Sequence, residues 1–465
     1  MAKPERGSSL PDQKVTKVMT VTTEAPTGYT RQSLDAILAA TAEPQWLRDW
    51  RQQAWHAFEE TPWPNSRTDE EWRRTNVMGT IRFDRYRPLG QSGAQRLALS
   101  SLPVELGVGG GSAEGRGGLL VLRNGIEAVA EPGSGARDGV LFMSLGRAAQ
   151  EHPELVQRYL GRQAVTPTFN KFAAMNSAFW QGGVFLYVPR FVEVALPLQA
   201  LHWADTAGMA LTPRTLVVLE DGAQVTFIDQ VASADGIDLF ANPVTEVYVG
   251  RGARLRYVNL QQLGNGAANV GVQRAIVEAN GQFNSLTATL GSRWHRSNVE
   301  VVLNGEGAET EMLGMTFADG NQFIDHHTFQ DHVKGGAKSD LLFKGALKDH
   351  SRTVWTGMIR VHPNAQRTDA YQANRNLLLS GNSRADSIPG LEIGANEVRC
   401  THGATAGPVD KEQVFYLMTR GLSRDAAVRL IVDGFYEPVL QRITLAPIRE
   451  QLTQLISRRV EGVLV

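Results

Sequence analysis

The residue types best suited to chemistry crowd into one stretch of this sequence. Seven of the ten histidines fall between His295 and His402, and five of those lie in the 37 residues from His326 to His362. Imidazole nitrogens ligate transition metals and also transfer protons near neutral pH. In the run Asp325-His326-His327-Thr328-Phe329-Gln330-Asp331-His332, strand alternation places Asp325, His327, Phe329 and Asp331 on one face. His326, Thr328, Gln330 and His332 then take the other. Metal ligands would be divided between the faces, so either a neighbouring coil completes a site or these histidines satisfy turn carbonyls. Further on, Cys400-Thr401-His402 sets a thiol two residues from an imidazole. If the strand persists, both share a face and can meet one metal ion or one partner surface. Two other readings stand beside that one. The first is a small core cysteine next to a carbonyl-bonded histidine. The second is a Cys/His nucleophile pair, which needs an orienting acid and an oxyanion hole that the sequence does not identify.

Composition narrows the chemistry. Cys400 is the single cysteine in 465 residues, so it closes no disulfide within the chain, and any thiolate-bound metal must borrow ligands from another chain. Lys plus Arg number 47 against 48 Asp plus Glu, a formal charge of −1, which leaves no basic field for nucleic acid. Apolar residues make up 42% and charged residues 20%, the mix of a chain that buries a core. No run reaches the roughly 18 uncharged apolar residues of a membrane span. Residues 1 to 27 mix charges of both signs without the apolar block of a secretory signal, so the expected compartment is the reducing cytoplasm. Phosphate-loop, dinucleotide-binding, HExxH, GxSxG and paired CxxC motifs are all missing.

The elements that must position these residues follow from periodicity. Residues 1–30 read as a mobile polar tail and 31–100 as an N-terminal helical region. There Leu34, Ile37 and Leu38, then Leu47, Trp50, Ala54 and Phe58, recur at helical spacing before Pro62 and Pro64. Thr68 and Glu71 have capping-box spacing, predicting another helix. Residues 101–395 change to short β-rich runs such as Leu119 to Leu122, Val184 to Val188, Leu216 to Leu219 and Val299 to Leu303. A turn element recurs at Gly222-Ala223, Gly252-Ala253, Gly281, Gly307-Ala308, Gly336-Ala337 and Asn364-Ala365, at intervals of 26 to 30 residues. Such a period means that each unit stacks on its neighbour, predicting a mainly β solenoid, with an ordinary β-sandwich as the alternative. Residues 396–465 return to helical periodicity. Asp410 and Gln413 cap one helix that stops at Gly421, a second runs from Ser423 to Gly434, and a third starts near Pro447. These three helices are expected to cap the exposed end of the stack.

Several ordered segments also resemble a known family. They are Ser339-Asp-Leu-Leu-Phe-Lys-Gly345, Ala365 to Leu379 (AQRTDAYQANRNLLL), Ser387-Ile-Pro-Gly-Leu-Glu-Ile393, Cys400-Thr-His-Gly-Ala-Thr405, and Phe415-Tyr-Leu-Met-Thr-Arg-Gly421 with Gly434-Phe435. Together they resemble the SufB/SufD family of iron–sulfur cluster assembly proteins over about residues 170 to 440. Thr401 and Gly403 stand where SufB proteins typically carry acids, so the likeness is to the SufD branch, with a SufB-type paralogue as the runner-up. Glu43 to Arg48 and Asp69 to Arg73 point the same way. The resemblance implies a right-handed parallel β-helix between helical regions. It further implies a non-catalytic scaffold that pairs with SufB, or with itself when SufB is absent, and binds the ATPase SufC. The C-terminal helical region, with Phe415, Tyr416, Arg420, Gly421, Gly434 and Phe435, is the implied SufC contact. His402, with Cys400 beside it, is the implied contact for iron or a transient cluster shared with SufB, no cofactor being stably held. Two readings from other classes remain: a β-helix carbohydrate-active protein and a pure interaction protein.

Overall fold

Strands that are apolar on both faces fold stably only where both faces are covered. The runs Arg214–Leu219 and Val244–Val249 are buried at every position, and the architecture follows from that requirement. The structure, a computed structural model, describes residues 26–88, 97–107, 115–131, 133 and 138–460. The expected tail falls largely on residues 1–25, which lie outside the described residues.

The core is a parallel β-helix of about eight coils, as expected from the recurrence. Each coil gives its first strand to an eleven-stranded sheet and its second to a ten-stranded sheet. Coil 1 joins Gly183–Val188 to Leu198–Ala204, coil 2 Arg214–Leu219 to Gln224–Ser233, coil 3 Val244–Val249 to Arg254–Gln262, and coil 4 Ala267–Val277 to Gln282–Thr289. Coil 5 joins Trp294–Leu303 to Glu309–Ala318, coil 6 Phe323–His332 to Lys338–Leu347, coil 7 Arg352–Val361 to Thr368–Leu378, and coil 8 Arg384–Ile393 to Val398–Pro408. Before coil 1, Leu141–Ser144 and Ile126–Glu131 finish the two sheets as antiparallel strands.

The recurring Gly-Ala element is the corner of each coil. Gly222, Gly252, Gly307 and Gly336 take left-handed φ angles of 64° to 70°, where a Cβ would be strained. Ala223, Ala253, Ala308, Ala337 and Ala365 are wholly buried, and the first four belong to the core between the sheets. Between the sheets lies a continuous core that includes Val217, Val247, Leu255, Phe283, Val301, Met312, Leu341 and Phe343.

Helices clothe the outer faces of both sheets. The helices α1 (Arg31–Ala40), α2 (Gln45–Glu60), α3 (Val77–Thr80), α4 (Leu145–Glu151), α5 (Pro153–Tyr159) and α6 (Lys171–Phe179) belong to the first group. Their apolar residues pack with Leu216, Val218, Val244, Phe240 and Val270 on the eleven-stranded side. The second group is α7 (Lys411–Thr419), α8 (Arg424–Leu440) and α9 (Ala446–Val460). It covers Val258, Leu260, Leu286, Leu313, Met315 and Phe317 on the outer face of the ten-stranded sheet.

Five expectations need correction. Thr68 starts no α-helix; a single tight turn, Glu70–Trp72, follows it. The region 101–395 contains α4 to α6, and the β core continues past 395 through Val398–Pro408. The helix starting at Ser423 does not stop at Gly434, because Tyr436, Val439 and Leu440 keep its buried face going past Pro438. Finally, the C-terminal helices do not cap the stack: their apolar stripes match the apolar outer face of the ten-stranded sheet, and coil 8 is left bare.

Candidate functional site

Coil 8 carries Cys400 and His402, and its exposure comes from its place in the stack. Interior positions of coil 7 are sealed, with Ile359 at 0% and Val361 at 2% exposure. Their register partners one coil on are Leu391 and Ile393, exposed at 37% and 41%. These are core-type side chains that lack the next layer. Both strands of coil 8 are also sheet edges, with a row of peptide groups open to pairing.

Cys400 and His402 occupy the second strand, opposite Ala370 and Gln372 of coil 7. The strand runs on to Pro408, so both side chains take the same, inward phase. Cys400 is half-buried among Ile359, Val361, Ala365, Ala370 and Ala395. Burial first, and the Asp369 carboxylate second, push its thiol above the ordinary value. A metal would therefore have to displace a proton there. His402 is exposed, whereas Gln372 beneath it is wholly buried. Alone, this coil offers one imidazole and one thiol, short of the four ligands that an iron–sulfur cluster requires.

Apart from His295 and His326, whose ring centroids lie 5.1 Å apart, the other histidines do not converge. His295, His326 and His332 lie between the sheets. His295 bonds Ser297 at 3.1 Å, His326 bonds Thr289 at 2.9 Å, and His332 bonds Ser339 at 2.8 Å. Burial brings both His326 and His332 down to about 4, with Asp325 partly opposing the effect at His326. His327 lies on the outer face with Asp325, 3.2 Å away, and His362 pairs with Asp331 at 3.0 Å. Among the described residues no group of three or more His, Cys, Asp or Glu is arranged to hold a metal ion. The alternation read from sequence is correct, and it separates the histidines.

Asp325 belongs to an anchor that sequence reasoning missed. Arg296, wholly buried, donates to Asp325 and to Glu71, each at 2.7 Å, and stacks 3.7 Å from the Trp72 ring. Thr75 also bonds Asp325. Burial alone would raise this carboxyl, but Arg296 and His327 hold it well below the usual range. The ties fasten the segment after α2 to coils 5 and 6. They span more than 220 residues of sequence, and no local pattern announces them.

The residues implied for SufC fall on α7 and α8. Phe415 and Tyr416 are exposed at 69% and 56%, and Met418, Leu422 and Leu430 add to the patch. Arg420 stacks on the Tyr416 ring at 5.0 Å, and Gly421 takes a left-handed turn after α7. Gly434 is exposed within α8, whereas Phe435 is half-buried beneath the Lys344 ammonium. Val414 is the one buried residue of α7, so this helix is weakly held.

The fold is a β-solenoid with an open end coil and an exposed apolar helix on its flank. The sequence comparisons define its family. Residues 202–435 match the SUF system FeS cluster assembly SufBD core domain, and residues 120–200 match the SufBD protein N-terminal region. An iron–sulfur cluster assembly SufBD family protein of Staphylococcus epidermidis is 28% identical over 456 residues, covering 94% of each chain. Relatives so described from Staphylococcus saprophyticus and Staphylococcus aureus are 31% identical over 325 residues, 70% of each chain. The chain belongs to the SufBD family of iron–sulfur cluster assembly proteins. Among the described residues no helix is long and apolar enough to cross a membrane.

Proposed function

We propose that this chain is the SufD-type subunit of a cytoplasmic SUF assembly scaffold, pairing through coil 8 with SufB. A nascent cluster would form between them, as substrate rather than resident cofactor. The observation that carries this reading is the inward phase of Cys400 and His402 on a coil with no further layer. Two ligands are then aimed at whatever covers the end, and a partner's thiolates would complete the set. Leu391 and Ile393 would supply the apolar contact, and the free strand edges the hydrogen bonds. Thr401 and Gly403 favour SufD over SufB, because acidic neighbours of the thiol are missing. The exposed face of α7 with the adjoining part of α8 would dock SufC, where ATP hydrolysis resides, leaving this chain non-catalytic.

Co-expression with SufB and SufC, followed by mass measurement of the intact assembly, tests the pairing. The expected species contains this chain, SufB and SufC. Replacing Leu391 and Ile393 by Asp should release SufB while SufC stays bound, and Phe415→Ala with Tyr416→Ala should do the reverse. Without SufB, the same end would pair two copies of this chain. His402→Ala should leave the assembly intact and reduce cluster formation; normal cluster formation would reject the ligand role.

A further inference from the structure

On the outer face of the ten-stranded sheet, the first part of each strand presents two polar positions per coil. Coil 5 shows Glu309 and Glu311, coil 6 Lys338 and Asp340, and coil 7 Asp369, above which Arg399 of coil 8 lies in register. These charges neutralise one another. Lys338 pairs with Glu309 at 3.4 Å, Arg442 with Glu311 at 3.3 Å and Asp340 at 2.8 Å, and Arg399 with Asp369. Coil 3 breaks the pattern. Arg254 and Arg256 are exposed on the same face, between neutral Gln224 and Thr226 on one side and Gln282 and Asn284 on the other. Neither has an ionic or hydrogen-bonding partner among the described residues.

Beside Arg256 the turn between α8 and α9 overhangs the sheet and forms an open cleft of about 130 Å³. Val258, Leu286 and Leu313 of the sheet and Ile443 and Leu445 of the turn give it an apolar floor. Arg256 and Arg442 also line it, as does Glu311, whose carboxylate is paired with Arg442 at 3.3 Å. A second hollow of about 190 Å³ shares Arg256 and Asn284 and extends to Arg254, Thr226 and Glu193.

We infer that these neighbouring hollows, which share Arg256 and Asn284, bind a small amphipathic anion, one ring or branched hydrocarbon linked to a carboxylate or phosphate. The size fits, since a cavity of about 150 Å³ accepts one benzene ring. The charge fits as well. Two unpaired guanidinium groups on one rung repel each other, and their forked donors match carboxylate and phosphate oxygens. Arg442 is already bonded to two carboxylates, so it closes the rim and leaves the anion to Arg256 and Arg254. Glu193 at the far edge disfavours a polyanion, which limits the ligand to one anionic group. An occupant would touch both the sheet and the α8–α9 turn, coupling its binding to the seating of those helices.

Phenyl phosphate and phenylacetate are the probes, titrated into the full chain by calorimetry, with inorganic phosphate and benzyl alcohol as half-ligands. At least one of the two probes should bind saturably, with Kd on the order of 1 mM, each half-ligand being about tenfold weaker. Arg256→Gln should weaken the probe at least about tenfold. Because Arg256 is exposed, its replacement leaves the fold intact, which a thermal melt confirms. A preference between the probes identifies the anion as phosphate or carboxylate. Equal affinity in Arg256→Gln, inorganic phosphate binding as tightly as phenyl phosphate, or no saturable binding by either probe would overturn the inference.

Discussion

Coils 6 and 8 are built to one plan and differ in what lies beyond them. In coil 6 another layer follows, and His326 and His332 disappear between the sheets, each bonded to a hydroxyl. In coil 8 no layer follows, and His402 faces inward at an open end. The same residue type is thus a sealed structural group in one place and an exposed imidazole in the other. Position in the stack decides the role; sequence spacing alone does not.

The sharpest way to break this comparison is to place one charge at register-matched positions. Ile359→Asp in coil 7 should cost more than about 4 kcal/mol, because a carboxylate enters a sealed core. Leu391→Asp, one coil further out, should stay within about 0.5 kcal/mol of the parent. Urea unfolding of both variants measures the contrast, and equal losses would show that coil 8 is covered in the isolated chain. Next in size is Arg296→Ala, expected to cost about 3–5 kcal/mol by leaving Asp325 buried without its cation. Limited proteolysis should then cut between α2 and α3 first.

Acid titration sharpens the comparison further. His326 and His332 take up protons near pH 4 when folded, but near 6.5 when unfolded. Between those values the unfolded chain binds more protons, so stability is full above about pH 6.5 and falls steadily toward pH 4. Urea midpoints across this range should follow that slope, and His332→Gln should flatten it. The smallest effect belongs to His402→Ala, expected to shift stability by no more than about 0.5 kcal/mol. A larger loss would mean that His402 is structural.

The solenoid was legible because its corners repeat. Gly-Ala pairs mark positions where one residue needs a left-handed φ and the next fits under its neighbour, and both needs are local. The helix α6 escaped notice for the opposite reason: all nine of its residues are buried, so no polar face creates a period. That Cys400 and His402 share a face could be read from their spacing, whereas the inward direction of that face and their exposure could not, since these depend on the stack and on which way the terminal helices fold. Those helices looked like caps by amphipathicity alone. Only the matching apolar columns, from Val258 through Met315, reveal that they lie on a face. The Arg296 anchor joins residues from distant parts of the chain, beyond the reach of any window along it.

The two reversed strands that finish the stack before coil 1 carry a further consequence. The coil 8 end finishes in strands that run with the stack, whereas the other end finishes in strands that run against it, so the solenoid's two termini present different edges. A coil added beyond coil 8 would extend the parallel ladder, while one added before coil 1 would have to pair with a reversed strand.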